Sequence, residues 1–124
     1  MIQARILIAD DTVFMRSMIR DILIGSGRFE IVGEASNGLE AVELYRQARP
    51  DLVTIDIVMP EMDGIHATRE ILRIDPGAAI VIVSALGQEA LVIESIAAGA
   101  RDFLVKPFSR EKVLSVLDAL LSAA

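Results

Sequence analysis

Apolar residues gather in five short runs along the chain: RILIAD (5–10), EIVGEA (30–35), DLVTID (51–56), AIVIVS (79–84) and DFLVK (102–106). None alternates strictly between apolar and polar positions, as a strand with one wet face would. Near-continuous runs of Val, Ile and Leu suit strands covered on both faces, as in a parallel sheet. Each run is followed by a segment of helical periodicity, so strand and helix are expected to alternate throughout.

The helical segments carry their own boundaries. Thr12 is placed to cap a helix over 13–25, with Met15, Met18, Ile19 and Ile22 on one stripe, Arg16 and Arg20 facing away, and Gly25 and Gly27 marking its end. Asn37 would cap 38–48, with Ala41, Val42 and Tyr45 inward and Pro50 forbidding continuation. A third helix is expected from about Ile65 to Ile74, stopped by DPG, then a fourth over about 88–98 and a fifth over 110–122 capped by Ser109. In the fourth, a projection at 100° per residue puts Val92, Ile93, Ile96, Ala97 and Ala100 toward the core. It leaves Leu91 outside with Ala98, Glu94 and Ser95, a candidate partner contact.

The rhythm of about 25 residues is that of strand–helix units rather than of a solenoid. With no linker or low-complexity segment, residues 1–124 read as one domain, and with the sequence ending in LLSAA just after the fifth helix no output domain is expected. At 124 residues and 53% hydrophobic composition the chain can bury a proper core. Twelve basic residues against 18 acidic ones give a net charge of -6, the wrong sign for gripping nucleic acid. With no cysteine, disulfides, thiolate metal sites and cysteine nucleophiles are excluded. A start without signal-peptide features and the lack of any apolar run of about 18 residues point to a cytoplasmic protein with no membrane segment.

Chemistry enters through the strand ends. Asp10 and Asp11 close the first run, Asp56 the third, Ser84 the fourth and Lys106 the fifth. In an open parallel sheet these ends share one edge, and ligands bind there at the point where strand order reverses. A doubly wound α/β sheet of the common order 2-1-3-4-5, flavodoxin-like with five helices, brings Asp10, Asp11 and Asp56 together. An isolated acid at a strand end is ordinarily a helix cap or a solvated turn residue. Three converging carboxylates repel one another and call for a cation, and an all-oxygen site suits Mg²⁺ better than zinc. Lys106 adds a movable charge for a phosphate oxygen or a carboxylate, and Ser84 adds a hydroxyl. ADDTVFM lacks the glycines of a phosphate-binding loop. A Mg²⁺-dependent phosphatase and a protein that merely holds a phosphoryl group both remain open. His66, the single histidine, lies in the third helix without a second ligand in view and reads as a surface residue.

ILIADD, DLVTIDIVMPEMDG, VSALG and GARDFLVKPF, in that order across the whole chain, resemble the receiver domain of two-component response regulators, most nearly its stand-alone chemotaxis members. The resemblance implies that Asp56 is the phosphoacceptor for a sensor histidine kinase or a small phosphodonor. Asp10, Asp11, Asp56 and the Val58 backbone carbonyl would hold Mg²⁺. Lys106 would bind the phosphoryl group, Ser84 would follow it inward, and Phe103 would be the switch aromatic. Pro107 would follow a cis Lys–Pro bond. A flagellar motor switch protein would be the output partner. Val58 and Leu86 take positions that often tune hydrolysis through polar groups, and both are apolar here, so slow autodephosphorylation and a separate phosphatase are expected. A phosphorelay intermediate, or a receiver cut from a longer regulator, is the nearest alternative.

Overall fold

The computed structural model describes residues 3–122. Five strands, β1 (Ala4–Ala9), β2 (Phe29–Ala35), β3 (Leu52–Asp56), β4 (Ile80–Ala85) and β5 (Asp102–Lys106), alternate with α1 (Val13–Ser26), α2 (Gly38–Ala48), α3 (Gly64–Ile74), α4 (Glu89–Ala97) and α5 (Arg110–Ser122). All strand pairs are parallel, in the order β2-β1-β3-β4-β5. The expected α/β architecture is therefore the observed one.

Alternation along each strand splits the core into two layers. Leu7, Val53, Ile55, Ile80 and Ile82 face Ala41, Tyr45, Ile65 and Ile71 on the α2–α3–α4 side. Ile6, Ile8, Val81, Val83 and Leu104 face Ile19, Leu23, Val113 and Leu117 on the α1–α5 side. Every residue of β3 is buried, so the central strand is covered on both faces and reads in sequence as a run without strict alternation.

Helix starts follow the side-chain chemistry. Thr12, Asn37 and Asp63 accept the backbone N–H of Met15, Glu40 and His66, and Ser109 accepts that of Lys112. Gly27, at φ 74°, terminates α1 in the left-handed region, whereas Gly25 lies inside the helix rather than at its end. His66 is exposed, as expected.

Two helix faces differ from expectation. In α4, Leu91, Val92 and Ala98 pack on the core and Ser95 is fully buried, while Ile93 and Ile96 are 71% and 42% exposed. Leu91 therefore lies on the inner face. The helix is apolar around most of its circumference, so periodicity hardly distinguishes one orientation from the next. Ser95 enters at little cost because its hydroxyl donates to the Leu91 carbonyl at 2.8 Å. In α1, Arg16 and Arg20 do not point into solvent but fold back over β2, where both pair with Glu34.

Candidate functional site

The carboxyl-terminal edge of the sheet places the three acids. β1 ends at Ala9, and Asp10 follows with its N–H donating to the Ala35 carbonyl at 3.0 Å, which keeps it in line with the sheet and 1% exposed. Its carboxylate accepts the Thr12 N–H and hydroxyl at 3.0 and 3.2 Å, tying the acid to the start of α1. Asp11 is exposed and Asp56, the last residue of β3, is 7% exposed. One carboxylate oxygen from each of Asp10, Asp11 and Asp56 lies within 4.8 Å of the others. Hard oxygen donors from three carboxylates, one open to solvent, fit a Mg²⁺ that keeps some of its water. The adjacent acids thus differ in setting, Asp10 buried and Asp11 open to solvent.

Lys106 supplies the chain's own cation. Its Nζ lies 3.2 Å from Asp10 Oδ2 and 3.1 Å from Asp56 Oδ2, bridging the first and third strands from the fifth. Burial raises the Asp56 carboxyl above its ordinary range, with the Asp10 charge adding to the effect and Lys106 opposing it. For Lys106 burial acts downward, but the charges and hydrogen bonds of Asp56 and Asp10 outweigh it, and its ammonium is held on the high side. The site is a compressed set of charges in which one ammonium is shared by two buried carboxylates and offsets only part of their charge.

Gly64 brings the start of α3 against the backbone that carries Asp56. Its N–H donates to the Ile57 carbonyl at 2.7 Å, and a Cβ there would sit 2.1 Å from the Asp56 carbonyl oxygen. Only a residue without a side chain lets α3 start this close to the Asp56 backbone.

Ser84 is buried at the end of β4, with its hydroxyl directed at the Leu104 carbonyl of β5 at 3.5 Å rather than at the acids. Beside it opens a cavity of about 400 Å³ lined by Ser84, Val92, Ile93, Ile96, Phe103 and Val105. Phe103 borders this space and is 41% exposed, so it is not an ordinary core ring. The side chains of Val58 and Leu86, in the segments after β3 and β4, are 56% and 75% exposed. The Lys106–Pro107 bond is cis, as expected.

The three acids that the strand ends were expected to bring together do lie together, and Lys106, expected on the same edge, reaches Asp10 and Asp56. The pattern of strand ends missed Arg16, whose Nη1 donates to the Asp10 carbonyl at 2.7 Å. The signal available was its place on the first turn of the helix that follows the acids, where a long side chain can reach back over the strand end.

The response regulator receiver domain family matches residues 6–118. The chemotaxis protein CheY of Bacillus subtilis is 56% identical over 118 residues, covering 95% of this chain and 98% of that protein. CheY of Thermotoga maritima is 55% identical over 114 residues, with 92% and 94% covered. Among solved structures, the CheX–CheY–BeF₃–Mg²⁺ complex from Borrelia burgdorferi superposes with a TM-score of 0.91 at 39% identity, covering 97% of this chain and 90% of the matched one.

Proposed function

The chain belongs to the response regulator receiver family, and on that premise we propose that it is a single receiver domain, a cytoplasmic switch activated by phosphorylation of Asp56. The observation that carries this reading is the Lys106 bridge between Asp10 and Asp56 beside the convergent acids. A sensor histidine kinase is the expected donor. Asp56 Oδ attacks the phosphorus of the phosphohistidine, the new P–O bond forms as the P–N bond breaks, and the departing imidazole takes up a proton. Asp10, Asp11, Asp56 and the Val58 carbonyl would hold Mg²⁺, which supplies charge stabilisation to the transferring phosphoryl oxygens. Lys106, already charged and placed at 3.1 Å from Asp56, would follow the new phosphoryl group.

Output follows from the neighbourhood of Ser84. Drawing its hydroxyl from the Leu104 carbonyl toward the phosphoryl group frees volume next to the 400 Å³ cavity that Phe103 borders. The ring and the outer face of α4 would then repack as a two-state population shift. High identity to CheY proteins over nearly the full length supports chemotaxis as the pathway and a flagellar motor switch protein as the partner. The exposed apolar side chains of Val58 and Leu86 offer no group to orient an attacking water. Slow autodephosphorylation and reliance on a separate phosphatase follow from that.

Incubating the chain with its phosphorylated cognate kinase, with p-nitrophenyl phosphate turnover measured in parallel, tests the proposal. Transfer of label to the chain with no ester turnover supports it. Ester turnover without a stable labelled chain would assign a Mg²⁺-dependent phosphatase instead.

A further inference from the structure

The Asp10 carbonyl is the first of β1's line to lie beyond the strand, at the point where the backbone turns to aim two successive carboxylates at one place. Its partner is the Arg16 Nη1, at 2.7 Å. Arg16 Nε lies 3.4 Å from Glu34 Oε1, and Glu34 Oε2 accepts Arg20 Nη1 at 2.8 Å. Arg20 Nη2 donates in turn to the Ser17 hydroxyl at 3.1 Å. The Arg16 and Glu34 side chains are 16% and 27% exposed, so these are half-buried contacts rather than loose surface pairs.

We propose that Arg16, held in place by Glu34, is a positioning residue for the divalent-cation site: it fixes the Asp10–Asp11 peptide so that both carboxylates converge with Asp56. The inference rests on the reading of the acid cluster as a Mg²⁺ site. Arg16 does not touch the metal-ligating oxygens. It acts through the backbone that carries them, and Glu34 both orients its guanidinium and offsets its charge.

Charge and position make opposite forecasts here. A guanidinium beside an acidic cluster repels a divalent cation, so removing it for its charge alone would tighten Mg²⁺ binding. Removing a group that orients the ligands weakens metal binding, by about tenfold or more where such partners have been replaced. The sign of the change therefore separates the two roles.

The test is a calorimetric Mg²⁺ titration of the full chain as wild type, Arg16→Met, Glu34→Gln and Arg16→Lys, with urea unfolding of each in the absence of Mg²⁺. Arg16→Met is expected to bind Mg²⁺ about tenfold more weakly. Glu34→Gln shifts in the same direction by a smaller factor. Arg16→Lys, whose ammonium reaches one of the two partners, recovers part of the loss. A weaker affinity out of proportion to any change in the urea midpoint supports positioning. An Arg16→Met chain that binds Mg²⁺ as tightly as wild type, or more tightly, overturns it. Should that variant not fold, an unchanged affinity in Glu34→Gln overturns it as well. A wild-type chain that binds no Mg²⁺ instead removes the metal reading on which the inference stands.

Discussion

Replacing Lys106 by methionine keeps most of the side-chain length and deletes its charge, leaving Asp10 and Asp56 facing each other without a cation. Their side chains are 1% and 10% exposed, and the ammonium lies 3.2 and 3.1 Å from their oxygens. At an effective dielectric of 20 each contact is worth about 5 kcal/mol before desolvation is subtracted. Removing one partner of a buried pair costs about 3–5 kcal/mol. Lys106 is itself 23% exposed, and the stranded Asp56 carboxyl, already raised by burial, can escape by taking up a proton, so a loss of about 2 kcal/mol at neutral pH is the expected outcome.

The pH dependence follows from the signs. The Asp56 carboxyl is raised in the folded chain, so its penalty is full above the folded value and disappears as pH falls through it toward the unfolded one. Without Lys106 to oppose it, that penalty grows. The raised Lys106 ammonium stabilises the wild type at all pH below its unfolded range and loses that effect only as pH rises through its folded value, in strong alkali. The variant's deficit should therefore shrink as the pH is lowered from neutral to mildly acid and Asp56 takes up its proton. Mg²⁺ no longer competes with an ammonium, so it should stabilise the variant more than the wild type; ligand at 100 times its Kd contributes about 2.7 kcal/mol. Urea unfolding followed by circular dichroism, at both pH values and with and without Mg²⁺, measures all three effects. A variant as stable as wild type without metal, with an equal gain from Mg²⁺, would refute the reasoning.

Three further outcomes are expected. Gly64→Ala pushes a Cβ to 2.1 Å from the Asp56 carbonyl oxygen and 2.8 Å from Ile55 Cγ2; it should cost about 3 kcal/mol in urea unfolding, and a loss below the error of the measurement would contradict the close packing. Tyr45, the only tyrosine, is 1% exposed and donates to Asp75 Oδ2 at 2.7 Å, and burial with that bond pushes its phenol well up. Its contribution is complete below the unfolded value of about 10 and lost only as pH rises through the folded one, so tyrosinate absorbance should appear with unfolding rather than at the pH of free tyrosine. Val58→Asn with Leu86→Glu should shorten the lifetime of the phosphorylated chain severalfold by providing groups that orient water; an unchanged decay would remove these positions from control of hydrolysis.

The arrangement of strands was legible because a parallel sheet buried on both faces leaves unbroken apolar runs, and because Thr12, Asn37 and Ser109 announce the helices that follow. The convergence of Asp10, Asp11 and Asp56 was legible from strand order, and Lys106 could be placed on the same edge, since parallel strands put their carboxyl ends together; that its side chain spans β4 to reach Asp10 and Asp56 was not. The face of α4 was not. With Leu91, Val92, Ile93 and Ile96 all available to the core, the apolar pattern has no sharp centre, and a serine that returns its hydroxyl to its own helix can be buried like alanine. Arg16 escaped for a different reason. Periodicity assigns a charged residue to the solvent side, but a long side chain on the first turn can fold back to a strand-end carbonyl and an acid on the neighbouring strand.

The central claim is that the acid cluster is a phosphoacceptor site. Intact mass after incubation with acetyl phosphate, with and without Mg²⁺, on wild type and Asp56→Asn, tests it most directly. A gain of one phosphoryl group that requires Mg²⁺ and vanishes in Asp56→Asn is the predicted result. An unchanged mass in the presence of Mg²⁺, or an adduct that survives the substitution, would contradict it.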